Sequence, residues 1–218
     1  MLLVSLVKGL CLGSSICLMS HIADNTLGKP SVEKLLETNV DLYQDSWQAV
    51  NTNMKLIAPI VYTGIDVNLL DHSINPLTIQ PDKIAVLLFV HNLLYYYIHK
   101  TSHKNQKLYK YHKFHHRFDR LLIPSSGNAV SIPEFVVAYL FPFIVGAKIV
   151  HPSELTFIIS VAIIAGLNLV IHCEELKNIS YWKYLVSPND HLDHHKKKGC
   201  HYAAPLLNLD TILENSNK

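Results

Sequence analysis

Eight of the fourteen histidines in this chain of 218 residues lie in three short motifs. The first motif is HxxxH, and the second and third are both HxxHH. The histidines of the motifs are His99 and His103, then His112, His115 and His116, and then His191, His194 and His195. On a helix, residues three and four positions apart share a face, so each motif can present two or three imidazoles in one direction.

Imidazole is the commonest metal ligand in proteins, and a tetrahedral zinc ion takes only four ligands. Eight or more imidazoles therefore predict two metal ions that share eight to ten nitrogen ligands and keep positions open for oxygen. Iron suits an imidazole-rich set when the chemistry is oxygen activation, whereas ligand type alone leaves zinc and copper open.

Histidines outside the motifs receive separate interpretations. His172 ends an apolar segment and is predicted to be a ninth ligand. His91 lies inside an apolar segment and is expected to be a buried histidine rather than a ligand. For His201 three roles stay open: a ligand, a partner of a ligand, or a surface residue. Three acids are candidates to accept the ring N–H groups of the ligands: Glu174, Glu175 and Asp193.

The composition indicates a membrane protein rather than a soluble domain. Apolar residues make up 49% of the chain and charged residues only 17%, where soluble domains have roughly 25% charged residues. This balance excludes intrinsic disorder. A net charge of +2 does not indicate a nucleic-acid binder. The four cysteines have no CxxC spacing, so they indicate neither a disulfide framework nor a thiolate zinc site.

Five apolar segments are candidates for contact with the bilayer. Residues 155–173 contain nineteen residues without a formal charge, close to the roughly 20 that cross a hydrocarbon core, and are predicted to be a transmembrane helix. Residues 84–98 and 135–150 are predicted to be shorter spans. Residues 56–70 are either a half-span or a buried helix. Residues 1–22 are predicted to form a membrane-anchoring or interfacial helix.

The connector between the last two spans fixes the predicted topology. Only four residues, 151–154, separate them, so the chain before residue 135 and the chain after residue 173 lie on the same side of the membrane. Seven basic residues against one acid lie within residues 100–120, which places that side in the cytosol by the positive-inside rule. All three motifs then lie on one face. This convergence favours a metal site over a basic surface helix that merely meets lipid headgroups.

The predicted fold class is therefore all-α: an integral membrane bundle of about three to four spans with a cytosolic, histidine-rich, metal-binding helical cap. Residues 1–80 are predicted to be an N-terminal anchor and amphipathic region with a partial span. Residues 81–214 are predicted to be the catalytic domain.

The order and spacing of the motifs resemble the membrane-bound fatty acid hydroxylase / sterol desaturase superfamily. The likeness extends from the motifs into residues 96–103, 108–109 and 112–116, and it includes the tail at 190–213. It covers roughly residues 84–213 and is specific in the motifs. The sterol branches, namely C-5 sterol desaturase, C-4 methyl sterol oxidase and cholesterol 25-hydroxylase, look nearest.

The chain departs from that family pattern at four places. Asn92 stands where an aspartate is usual, and Lys100 stands where an arginine is common. Residues 131–134 read Ser-Ile-Pro-Glu in place of a stretch with a His-Pro pair, so one expected histidine is missing. Glu214 and Asn215 replace the usual Gly-Thr. None of these changes removes a motif histidine.

The resemblance implies an oxidoreductase with two iron ions, zinc being a form found on isolation. The eight motif histidines would be catalytic, and with His172 they would be the metal ligands. O2 and external electrons would hydroxylate or desaturate a lipid, with a sterol favoured over a fatty acyl chain. The sequence contains no cytochrome b5-like haem segment, so a separate donor such as cytochrome b5 with its reductase is expected. The expected location is the endoplasmic reticulum membrane.

Two other classes of function stay open at this point. A membrane metal transporter or buffer would also be rich in histidine, although its ligands should lie within the spans. A non-catalytic scaffold that keeps the fold is the second alternative. Metal content discriminates between them: about two irons per chain indicate the oxidase, one labile zinc the buffer, and none the scaffold. The sequence does not indicate which lipid or carbon reacts, or the oligomeric state.

Overall fold

The computed structural model describes residues 1–179 and 181–215. In these residues the structure is helical, and the one extended pairing is an antiparallel bridge between Leu185 and Leu207, which confirms the all-α prediction. The helices are α1 (Leu2–Asn25), α2 (Lys29–Thr38), α3 (Val40–Thr52), α4 (Ala58–Leu69), α5 (Pro81–Lys104), α6 (Gln106–His112), α7 (Ile132–Glu134), α8 (Phe141–Val150), α9 (Glu154–Ile171), α10 (Pro188–Lys197) and α11 (Leu209–Asn215).

Two π-helical turns join pairs of these helices into longer continuous helices. Asn53–Ile57 joins α3 to α4, and Phe135–Leu140 joins α7 to α8. Short 3-10 turns cover His115–Phe118 and Pro124–Asn128. They lie at the end of the bundle that carries the three histidine motifs, and we call this end the cap. A π turn widens the helix locally and is common near functional sites.

Within the described residues, three helices are long and apolar enough to cross a membrane: Leu2–Asn25, Ile132–Val150 and Glu154–Ile171. The last two are the predicted hairpin. Their number equals the lower bound of the predicted three to four spans, but Leu2–Asn25, predicted to be an anchoring or interfacial helix, takes the place of residues 84–98.

Residues 84–98 differ from the predicted span, whereas residues 56–70 do not form a full span, as predicted. α5 is 24 residues long, but it is not among the three apolar helices because His91, Asn92 and His99 interrupt its apolar sequence. α4 has 12 residues, a length of about 18 Å, which is too short to cross a hydrocarbon core. Both helices pack inside the bundle, α4 against α1 and α5 against α8 and α9.

α1 approaches α4 closely because small residues face it. Ser5, Gly9 and Gly13 recur every four residues on the buried face of α1. A Cβ atom built at Gly9 would lie 2.8 Å from Cα of Pro59, and one at Gly13 would lie 1.8 Å from the carbonyl oxygen of Met54. Such stripes of small residues allow helix backbones to come together in membranes.

Polar contacts at its two ends fix the direction of α1. Near its start, Nζ of Lys8 lies 2.7 Å from Oε2 of Glu154, at the hairpin end of α9. Near its end, Oδ1 of Asp24 accepts a hydrogen bond of 2.8 Å from the backbone N–H of Ser125 in the cap. α1 therefore runs from the hairpin end to the cap, parallel to α9. Lys8, the one lysine within this apolar helix, pairs with Glu154.

We expect Gly13→Ala to destabilise the protein by about 1–3 kcal/mol, because the added methyl group overlaps the Met54 carbonyl and the two helices must separate. The midpoint of thermal unfolding in detergent measures the change. Gly64→Ala is the matched control, since a Cβ atom there meets nothing within 4 Å. An equal midpoint for both variants would contradict the close packing of α1.

Candidate metal centre

Five elements of the cap bring nine histidines together. The last turns of α5 carry His99 and His103, and the last turn of α6 carries His112. The sequence predicts one helix for the second motif, but α6 ends at His112, and His115 and His116 lie in the following 3-10 turn. His172 caps α9. The third motif lies entirely on α10: His191, His194 and His195.

The nine histidines form two groups, each with ligand atoms within 4.8 Å of one another. The larger group consists of His99, His103, His112, His116 and His194. The smaller group consists of His115, His172, His191 and His195. We call them the five-histidine group and the four-histidine group. Together they contain every histidine predicted to be a metal ligand.

The two groups draw on the motifs in a regular way. Each motif gives its pair four residues apart to a single group, and the remaining histidine of the second and third motifs, His115 and His194, goes to the other group. For the third motif, which lies on α10, the cause is the helical period: on an ideal helix, residues i and i+4 are about 40° apart and i and i+3 about 60° apart in the opposite sense. The second and third motifs therefore each contribute histidines to both groups.

The Nε2 atoms converge in both groups. In the five-histidine group, Nε2 of His112 lies 3.1 Å from that of His99, 2.9 Å from that of His103 and 2.9 Å from that of His116. In the four-histidine group, Nε2 of His172 lies 3.3 Å from that of His115 and 2.9 Å from that of His191.

These separations fit metal coordination. Two nitrogen ligands at 2.1 Å from an ion and at right angles to each other lie about 3.0 Å apart. Lone pairs of several buried nitrogens at this distance repel one another unless a cation lies between them. Nε2 of His194 is buried and makes no hydrogen bond with the described residues, as expected for an atom reserved for a metal.

Backbone carbonyls fix the tautomer of three rings. Nδ1 of His99 donates to the carbonyl oxygen of Tyr202 at 2.8 Å, and Nδ1 of His194 donates to that of Cys200 at 2.8 Å. Nδ1 of His172 donates to the carbonyl of Asn168 at 2.7 Å. A carbonyl only accepts, so Nδ1 carries the proton in each ring and the lone pair of Nε2 is free to bind a metal.

Burial keeps the rings in the uncharged form that metals require. It lowers the pKa of His103 to about 2, with a further contribution from neighbouring His112. It likewise lowers the pKa of His194 to about 3. Removal from water disfavours the charged imidazolium, so these rings stay neutral at physiological pH.

Glu134 is a residue of the site that sequence reasoning missed. Its Oε1 accepts a hydrogen bond of 2.6 Å from Nδ1 of His112, and both side chains are buried. It lies in the stretch 131–134, which the sequence analysis noted only for a missing histidine. The sequence feature that could have identified Glu134 is an acidic residue in the first turn of an apolar span.

The three acids expected to accept ring N–H groups bind elsewhere. Glu175 accepts from the backbone and side chain of Ser31. Glu174 pairs with Lys177, and Asp193 pairs with Lys197. That expectation was wrong because adjacency in sequence places these carboxylates beside the histidines but turns them away from the rings.

Asn92 holds the tail of the chain against α5. Its Oδ1 accepts hydrogen bonds from the backbone N–H groups of Leu206 at 3.1 Å and Leu207 at 3.2 Å. Asp210 continues the support by accepting from the backbone N–H of Ala203 at 2.7 Å. These bonds position the carbonyl of Tyr202 that orients His99. Asn92 thus accepts with one oxygen, as an aspartate could, and does not touch the metal groups.

The remaining histidines lie outside both groups. His91 is buried in α5, where its ring centroid lies 4.5 Å from that of Phe143, in keeping with the expected buried histidine. His201 has a left-handed backbone with φ of 54° and belongs to neither group.

A cleft of about 480 Å³ reaches one side of the centre. Aromatic and apolar side chains from α5, α6 and the α7 end of the hairpin line most of it. It ends at His99, His112 and Glu134. Tyr97 and Tyr111, which are exposed, line its mouth. The cleft therefore joins the outside of the bundle to the five-histidine group.

Comparison with known proteins gives one finding. A family model described as "Fatty acid hydroxylase" matches residues 84–215, which is more than half of the chain. No curated protein and no solved structure matches the chain significantly.

We expect His194→Ala to lower the metal content of the purified protein, because one nitrogen of the five-histidine group is lost, while the protein still inserts into membranes. Elemental analysis of protein in detergent measures metal per chain. His201→Asn is the matched control, because His201 lies close to the third motif but belongs to neither group. Asparagine tolerates the left-handed backbone at this position. Equal metal content in the two variants would remove His194 from the ligand set.

Proposed function

This chain belongs to the fatty acid hydroxylase family, and we propose that it is a membrane-bound di-iron oxidoreductase that oxidises a lipid. It would use O2 and external electrons to hydroxylate or desaturate its substrate. The resemblance of the motif region to the sterol branches supports a sterol, with a fatty acyl chain as the alternative.

The observation that carries this proposal is the pairing of two histidine groups with an apolar cleft that ends on one of them. Nine imidazoles can hold two ions, and imidazole-rich sites suit iron in oxygen chemistry. Zinc has no redox chemistry, so a zinc-loaded form would be inactive. Val137 and Ala138 of the apolar helix Ile132–Val150 line one wall of the cleft, where a membrane lipid can enter sideways.

The bound irons would supply O2 activation at a C–H bond. In hydroxylation, one oxygen atom enters the lipid and the other leaves as water, with two electrons and two protons supplied from outside. In desaturation, two hydrogen atoms leave the lipid and both oxygen atoms leave as water, again with two electrons and two protons supplied from outside.

The protein's own residues perform the remaining tasks. The nine histidines would hold the metals, and the carbonyls of Tyr202, Cys200 and Asn168 orient the rings of His99, His194 and His172. The cleft holds the lipid and excludes water from its inner end, which protects reactive species from side reactions. Aromatic walls around Tyr95 and Tyr97 would aim one carbon at the site.

The surface of the cap supports a separate electron donor. Four lysines on and around α6 are exposed: Lys104, Lys107, Lys110 and Lys113. Clustered positive charge attracts an acidic partner and speeds its association. We propose that this partner is a donor such as cytochrome b5 with its reductase. The same charge favours a cytosolic cap, in the endoplasmic reticulum membrane.

The direct test compares the sterol and fatty-acid profiles of cells with and without the expressed protein. We expect a hydroxylated or newly unsaturated lipid, formed only with the active chain. His115→Ala is expected to abolish this product, because a ligand of the four-histidine group is lost, while the protein still inserts. Full product yield from that variant would contradict the proposed role of His115, and unchanged profiles with the unaltered chain would contradict the oxidase itself.

A second variant tests the cleft. Val137 lines it and is exposed, so Val137→Trp should fill the space with an indole. We expect product formation to fall by about 10²-fold, since small displacements of a reacting carbon have effects of this size, while metal content stays unchanged. Ile149→Trp, an exposed position near the far end of α8, is the control. Normal activity of Val137→Trp would show that the lipid enters elsewhere.

A further inference from the structure

The two histidine groups differ in what surrounds them. In the five-histidine group, three rings have an acceptor for Nδ1: His99 and His194 have carbonyls, and His112 has the Glu134 carboxylate. In the four-histidine group, His172 alone has one among the described residues. Outer hydrogen bonds of this kind fix ring orientation and raise the basicity of the ligand.

Charge also separates the groups. Within the described part of the chain, Glu134 is the one acid within ion-pair distance of any of the nine rings. Its Oε1 lies 2.6 Å from Nδ1 of His112, in a buried pair where charge is weakly screened. His112 is also the ring whose Nε2 contacts three others in its group. The negative charge therefore acts at the middle of the five-histidine group.

The cleft makes the same distinction. Its inner end is formed by His99, His112 and Glu134, and no member of the four-histidine group lines it. A lipid in the cleft would therefore meet the five-histidine group first.

We infer that the two metal positions are inequivalent: the five-histidine position faces the lipid and binds its metal more tightly, and Glu134 is the positioning residue that sets this difference through His112. The part that concerns the lipid rests on the proposed function. The part that concerns metal binding rests only on the two groups of histidines.

The inference predicts two steps when metal is removed. The full-length protein in detergent is loaded with Zn2+, a probe without redox chemistry, and titrated with a chelator while retained metal is counted. We expect the ion of the four-histidine group to leave first. His172→Ala assigns the steps, because it should remove the first step and leave the second.

Glu134→Gln then tests the positioning residue. Glutamine keeps an oxygen that can accept from His112 but lacks the negative charge. We expect the affinity of the second step to fall by about 10- to 100-fold and the first step to stay unchanged. Asp193→Asn is the matched control, since Asp193 is an acid of the cap that pairs with Lys197 and not with a ring. With iron bound, Glu134→Gln should also raise the reduction potential of one of the two positions, because a negative charge that stabilises the oxidised ion is gone.

Cholesterol added to the micelles tests which position faces the lipid. We expect it to slow release in the second step alone, because lipid in the cleft covers His99 and His112. Slower release in the first step, or in neither, would overturn the lipid-facing assignment. A single release step in the unaltered protein, or a Glu134→Gln variant that matches it in affinity and potential, would overturn the inequivalence. Two-step metal release without lipid oxidation would contradict the proposed function alone.

Discussion

The cap is organised around the mutual repulsion of nine closely packed imidazoles, eight of them buried and that of His103 half-buried. Their Nε2 atoms approach to about 3 Å within each group, and removal from water lowers the pKa of rings such as His103 and His194. Neutral nitrogens with lone pairs aimed at one another are unfavourable in a low-dielectric interior unless cations occupy the space between them. The fold of the cap therefore makes physical sense as a shell for metal ions, and metal binding would contribute directly to its stability.

The bundle supplies the rigidity that such a shell requires. Rings must be held in place before the metal binds, and their supports come from distant parts of the chain. Asn92 and Asp210 tie down the tail that orients His99, while Asp24 links α1 to the cap at Ser125. Close contact of α1 at Gly13 with the π turn that precedes α4 completes the frame. Apolar helices thus position a polar site at one end of the bundle.

The interlocked motifs explain how two different positions arise from similar sequences. Because His115 and His194 cross between groups, neither position is formed by one motif, and both depend on the packing of α10 against the second motif. The asymmetry comes from outside the motifs, through Glu134 and through the cleft between α5 and the hairpin.

The spacing of residues along the chain was enough to predict the candidate metal ligands and the apolar helices. The motifs indicated eight candidate histidines, the end of an apolar segment indicated His172, and hydropathy identified the hairpin and the all-α membrane bundle, because these signals depend on near neighbours in the chain. Tertiary structure alone decided the division into groups of five and four, the end of α6 at His112, the role of Glu134 and the carbonyl supports. Helical spacing sets which histidines of one helix share a face, but which faces meet depends on packing between residues far apart in the chain, as do the contacts of Glu134 with His112 and of Tyr202 with His99.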